Sequence, residues 1–186
     1  TKAHVQIINT HINKIIDKNG PLKYCIFLQR YRGEGDQWSG EIETTLSATK
    51  NIVECVSSGF GDNDNCIIMV GSVFSRYVGE GQALSYHIAK AGLEQMMRYY
   101  ALNLGKKGVR VNGIMPFTFL KEESKEFYFN NKELMGLYEK ITPLDRMGAT
   151  EDCSNLIMFL CSPLASFITG QNILIDGGMS LHWPES

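Results

Sequence analysis

The stretch Cys66-Ile67-Ile68-Met69-Val70-Gly71-Ser72, with Ser85-Tyr86-His87-Ile88-Ala89-Lys90 following it after a loop, decides how the chain is read. Residues 66–70 are apolar without alternation, as in a strand buried on both faces. Gly71-Ser72 closes the run and leaves a hydroxyl at its carboxyl end. Gly79 and Gly81 mark the loop, and the pattern then predicts a helix from about Ser85 to Leu104. Tyr86 and Lys90 stand at i and i+4 on it, so a phenol and an ammonium share one face, about 6 Å apart at their Cβ atoms. In open α/β sheets, ligands bind outside the carboxyl ends of the strands. A hydroxyl, a phenol and an ammonium are thus delivered to the place where such folds do chemistry.

Outward from this stretch, apolar runs alternate with amphipathic ones. Upstream, Val5, Ile8, Ile12, Ile15 and Ile16 are spaced as one helix face over residues 1–18, and Asn19-Gly20-Pro21 ends it. Tyr24–Leu28 reads as a buried strand, 29–35 as a loop, and Trp38 to about Ser57 as a helix. Downstream, Val109–Pro116 reads as a strand. Residues 117–141 are mixed and aromatic, with short helices. Thr150 caps a helix to about Leu160, and Asn172–Ile175 is the last strand. Four strands alternating with helices imply an α/β fold, a parallel sheet covered on both faces.

The totals narrow the function. At 186 residues with 44% hydrophobic and 20% charged content, the chain is long enough for one domain with a real core. A net charge of −2 gives no electrostatic footprint for nucleic acid or an anionic membrane. No apolar run approaches the ~18 residues that would span a bilayer. The five cysteines form no CxxC pair and read as reduced thiols of a cytoplasmic protein, neither a disulfide frame nor a metal site.

The ordered set of motifs resembles the short-chain dehydrogenase/reductase family. It comprises Ser72 ahead of Tyr86-x-x-x-Lys90, then Val109-Arg110-Val111-Asn112 before Pro116, then Pro143–Gly148, Phe159–Ser162, Ile168–Gln171 and Asp176-Gly177-Gly178. The resemblance implies a Rossmann-like doubly wound parallel sheet. It implies an enzyme that interconverts a secondary alcohol and a ketone with NAD or NADP, as a homodimer or homotetramer acting on a small molecule. By the same resemblance Tyr86 is the acid/base, Lys90 favours its phenolate and binds the nicotinamide ribose, and Ser72 orients the carbonyl. Tyr86, Lys90, Pro116 and Phe117 would contact the cofactor. The chemistry is coherent: a phenol serves as acid/base once its pKa of ~10 is drawn towards neutrality, and a nearby ammonium does that.

The sequence also departs from the family. It contains no GxGxxG or GxxxGxG, so residues 1–186 read as the C-terminal portion of a single Rossmann-fold domain whose N-terminal strands are absent. Phe27-Leu28-Gln29-Arg30 stands for the family's Asn-Asn-Ala-Gly, Thr45 for its helix Asn, and Phe117 for the Gly after the sixth-strand Pro. These losses keep open a second reading, a non-catalytic structural or regulatory subunit of the same fold.

Other residues carry weaker expectations. Arg76, Tyr77 and Glu80 would reach a substrate from the loop before Tyr86. His87 has a surface or packing role. Asn112 is a structural hydrogen-bonder, and Asp62 and Asp64 solvate a turn. Phe117, Phe119, Phe127, Tyr128, Phe129 and Tyr138 form either a lid or part of the core. Met96, Met97, Tyr99 and Tyr100 form a second apolar face for a partner subunit, and 24–28 would be a bare sheet edge.

Overall fold

The computed structural model describes residues 2–62 and 64–181. Helix α1 (Lys2–Asn19) leads to β1 (Tyr24–Phe27). Gly20, at φ +84°, takes the left-handed cap that the sequence predicts, and its N–H bonds to Ile16 at 2.8 Å. A long helical stretch follows in three parts: α2 (Gln37–Glu41), a π-helical segment (Ile42–Ser47) and α3 (Ala48–Val56). Then come β2 (Asn65–Val70), α4 (Leu84–Gly105) and β3 (Val109–Pro116). The segment between β3 and the last strand holds β4 (Phe119–Leu120), α5 (Glu122–Asn130), α6 (Lys132–Ile141), β5 (Gly148–Ala149) and α7 (Thr150–Cys161). Strand β6 (Asn172–Ile175) closes the sheet.

The main sheet is parallel, in the order β1-β2-β3-β6, and β4 pairs with β5 in a small parallel ribbon that the sequence did not signal. Successive β2 side chains enter opposite cores, as the unbroken apolar run requires. Ile67 and Met69 pack with α3 and α4, through Val53, Leu93 and Met97. Cys66 and Ile68 pack on the α7 side, with Leu160 and Cys161. At the other extreme, β1 is an edge strand among the described residues. Phe27 enters the α4 core, whereas Tyr24, Ile26 and Leu28 are exposed.

Three expectations need correction. Thr150 does not cap α7; Ala149 holds the cap position, and Asp152 reaches back to accept its N–H at 2.8 Å. Met97 and Tyr100 belong to the core and not to a second face, because they turn onto β1–β3. The exposed row on α4 is Leu84, Ile88, Tyr99 and Leu102. Arg76, half-exposed, turns its guanidinium to Glu94 of α4 at 2.8 Å and lines neither recess beside Tyr86. Asn112 behaves as expected, donating to Ile168 O at 2.8 Å and accepting Gln171 N–H at 3.1 Å.

Candidate active site

Ser72 leaves β2 in extended backbone and caps a short 3-10 turn, its Oγ accepting the Phe74 N–H at 3.2 Å. With the oxygen so engaged, the hydroxyl proton is left to donate outward. The neighbouring hydroxyls are committed elsewhere: Ser75 donates to Glu94 at 3.0 Å, and Ser85 is buried in α4. Tyr86 and Lys90 lie on the first turns of α4. Lys90 is 3% exposed, and its Nζ donates to the Val70 carbonyl at 3.1 Å. Nζ lies 5.6 Å from the centroid of the Tyr86 ring, and the Arg30 guanidinium lies 4.8 Å from the same centroid.

Ser72, Tyr86, Lys90, Pro116 and Phe117 all line one cleft of about 520 Å³, outside the carboxyl ends of β1, β2 and β3. An adjoining recess of about 340 Å³ shares Ser72, Tyr86 and Phe117 and adds Phe74 and Tyr128. The aromatic residues divide between the two readings left open by the sequence. Phe117, Phe119 and Tyr128 face the recess, Tyr138 braces Phe117 and Tyr128 edge-on at 5.6 and 6.0 Å, and Phe127 and Phe129 are exposed. His87 accepts the Gly79 N–H at 3.0 Å and so ties down the loop before α4.

Burial pushes the Lys90 ammonium down to about 8. Glu41 opposes that shift, and the positive charges of Arg30 and Lys121 add to it. Sequence reading missed Glu41 and Lys121 altogether, and met Arg30 only as a lost glycine. Glu41 is 6% exposed, and Thr45 Oγ1 donates to its Oε2 at 3.2 Å. Thr45's own carbonyl accepts Thr49 Oγ1 at 2.7 Å, and Gln29 Nε2 donates to that hydroxyl at 2.6 Å. A polar chain therefore runs from the end of β1 through the π segment to Glu41, whose charge acts on Lys90.

The donor set fits the nicotinamide-ribose end of a dinucleotide. Lys90 has two N–H groups without a partner among the described residues, and with the Tyr86 hydroxyl they suit a ribose diol. Ile114, Pro116 and Phe117 offer an apolar wall for a flat ring. No glycine-rich phosphate turn occurs among the described residues. Nor does any cluster of three or more His, Cys, Asp or Glu there suit a metal ion, and no described helix is long and apolar enough to cross a membrane.

Comparison with known proteins agrees with this architecture. A family model described as enoyl-(acyl carrier protein) reductase matches residues 31–180. An L-rhamnose 1-dehydrogenase (NAD(P)(+)) of Sphingomonas sp. is 38% identical over 126 residues, covering 68% of this chain and 48% of that protein. A tropinone reductase homolog of Arabidopsis thaliana is 30% identical over 152 residues, covering 79% of this chain and 54% of its own length. Among solved structures, a short-chain dehydrogenase/reductase from Brucella melitensis, named a glucose/ribitol dehydrogenase, superposes with a TM-score of 0.81. It is 22% identical, over 94% of this chain and 72% of its own, and so speaks for the fold. The chain belongs to the short-chain dehydrogenase/reductase family, with the parallel α/β sheet of that family. It spans about half the length of the curated relatives it matches.

Proposed function

We propose that the chain carries the acid/base site of an NAD- or NADP-dependent oxidoreductase that interconverts a secondary alcohol and a ketone. The observation behind this reading is the pairing of Tyr86 with two cations, Lys90 and Arg30, on the cleft that Ser72 also lines. In the reducing direction the Tyr86 hydroxyl gives its proton to the carbonyl oxygen. The phenolate left behind is stabilised by the ammonium and the guanidinium. The Ser72 hydroxyl donates to the same oxygen as charge develops there. Lys90 also holds the ribose, through N–H groups that Val70 does not use. The nicotinamide, when bound, gives or takes the hydride. The phenolate then recovers its proton from water at the cleft mouth, and oxidation reverses these steps.

The names of the matched relatives, a dehydrogenase using NAD(P)(+) and a tropinone reductase homolog, support this chemistry. In this reading residues 1–186 are the C-terminal portion of one Rossmann-fold domain, in keeping with the share of the relatives that they match. Free thiols at Cys25, Cys55, Cys66, Cys153 and Cys161 suit the cytoplasm. The exposed row Leu84, Ile88, Tyr99 and Leu102 suits a homodimer or homotetramer. Light scattering that finds only monomer at micromolar concentration would overturn the assembly.

Tyr86→Phe tests the chemistry. The variant keeps the ring and its cation contacts, so thermal stability should hold, while turnover of a ketone substrate falls by about 10³-fold. Unchanged turnover would refute the assignment. Cofactor binding by the wild type without any turnover would favour the non-catalytic subunit.

A further inference from the structure

Among the described residues, four cations but only one carboxylate line the main cleft: Arg30, Arg32, Lys90 and Lys121 against Glu123. Glu123 is spent on Arg32, at 3.7 Å on the surface. Among the described residues the Arg30 guanidinium meets neutral groups, the face of Tyr86 and the Gln82 side chain at 3.4 Å, and makes no ion pair. Lys121 sits at the cap of α5, and its ammonium has no acidic partner among the described ion pairs. Arg32 has Glu123 and Lys90 has Glu41, so it is at Arg30 and Lys121 that positive charge is left uncompensated among the described residues, beside a phenol in a concave site whose walls focus the field.

Resting on the oxidoreductase reading, we propose that this cleft takes a carbonyl compound or alcohol bearing an anionic group, a carboxylate or phosphate monoester, held by Arg30 and Lys121 close to the reacting carbon. A guanidinium offers a planar fork that matches either anion in a bidentate way, and an ammonium adds a second charge. Arg30 is stacked on the ring of the acid/base itself, which sets the anion near the oxygen that Tyr86 protonates. The substrate's apolar body would lie against Phe74, Phe119 and Tyr128 in the adjoining recess. That recess contains Arg30, Arg32 and Lys121 but neither Lys90 nor Pro116. The basic residues thus face the substrate side and not only the nicotinamide side. The crowding of like charge shows at Lys90, where Arg30 and Lys121 both oppose protonation.

The test compares matched pairs on the intact protein: benzoylformate against its methyl ester for the carboxylate, and dihydroxyacetone phosphate against dihydroxyacetone for the phosphate. In one pair the anionic member should have a kcat/KM about tenfold or more above the neutral one, the worth of a charge-assisted hydrogen bond. Which pair shows it identifies the anion. The preference should shrink as salt rises to about 0.5 M. Lys121→Gln should reduce it through KM; Arg30→Gln should reduce it through KM and also lower kcat for both members of a pair alike, since the guanidinium steadies the Tyr86 phenolate, and neither should alter the circular dichroism spectrum.

Isothermal titration with the two anions, in wild type and in both variants, reads binding without turnover. Anion binding that is weakened in the variants supports the proposal even if no pair is turned over, in which case the oxidoreductase reading fails by itself. Turnover of both neutral compounds as well as the anions, or equal anion affinity in wild type and variants, overturns the proposal and leaves that reading standing. Variants that weaken only NAD or NADP binding also overturn it, since the cations would then serve the cofactor's phosphates.

Discussion

Two carboxylates lie buried against α4 to nearly the same extent, and they live in opposite circumstances. Glu94 is 7% exposed and is gripped from three sides, by Arg76 at 2.8 Å, by Ser75 at 3.0 Å and by Arg98 one turn along. Burial pushes its carboxyl up, but Arg76, Ser75 and Arg98 together hold it below the ordinary range. Glu41 is 6% exposed and, among the described residues, accepts a side-chain hydrogen bond from Thr45 alone. What remains of its charge acts on Lys90. Burial by itself therefore does not tell a clamp from a tuning group; the count of satisfied lone pairs does. Glu94 fastens the loop carrying Ser72 to the helix carrying Tyr86, and Glu41 keeps a cation charged.

Substitutions can separate the two roles. Glu94→Ala should have the largest effect on stability. It removes charge-assisted hydrogen bonds worth about 2 kcal/mol in all, given that both arginines can turn to water. A melting temperature lower by roughly 5 °C would follow. A loss near zero would mean that Ser75 and Arg76 hold the loop unaided.

Asp152 supplies a half-exposed control. It has a bidentate contact with Arg146, at 2.7 and 2.9 Å, and caps α7 by accepting the Ala149 N–H. The Arg146 guanidinium and that N–H hold its carboxyl down to about 2. Its folded value lies below the unfolded one, so its stabilisation is full above the ordinary carboxylate range and is lost as pH falls towards about 2. Asp152→Asn should cost about 1 kcal/mol at neutral pH, because the amide oxygen can still accept the Ala149 N–H but the charge paired with Arg146 is lost, with the gap to wild type closing in acid. Urea unfolding at several pH values checks this, and a gap that widened in acid would contradict it.

Glu41→Gln should cost least in stability, under about 1 kcal/mol, because the amide keeps the volume and can still accept from Thr45. Its effect should appear in titration instead. Glu41 favours the charged lysine, so the variant's Lys90 pKa should lie below the wild type's value of about 8. A pH–rate profile whose upper limb moves to lower pH would show this, and so would a shifted NMR titration of the isotopically methylated lysine. An unmoved limb would reduce Glu41 to packing.

How far the sequence led follows from what kind of signal each feature leaves. Strands β3 and β6 were legible to the residue, because short stretches rich in Val, Ile, Leu and Met end sharply at Pro116 and at Asp176-Gly177-Gly178. Ser72, Tyr86 and Lys90 were legible through local spacing. Glu94 and Arg98 could have been paired from i,i+4 spacing, but Arg76 comes from another element, so the loop arginine was given a substrate instead. Glu41 carried no signal. In Trp38-Ser39-Gly40-Glu41 an acid reads as solvent-facing, and a π turn shifts the helix face in a way that a 3.6-residue period cannot show. Arg30 and Lys121 lie about ninety residues apart in the chain, and only the parallel sheet and the segment after β3 bring them to one cleft.

The π segment also makes part of the site depend on counting. An α-helix turns by about 100° for each residue, and a segment bonded from i to i+5 turns by less, so the six π-helical residues cover about the rotation of five α-helical ones. Deleting one residue within 42–47 would let the segment rewind as a continuous α-helix, with α2 nearly in its old phase against α3. Deleting a second would swing α2 by about 100° and carry Glu41 away from Lys90, although no side chain near the cleft had changed its chemistry. The segment therefore has room to lose one residue and not two, and a library of one- and two-residue deletions within 42–47 should show that step.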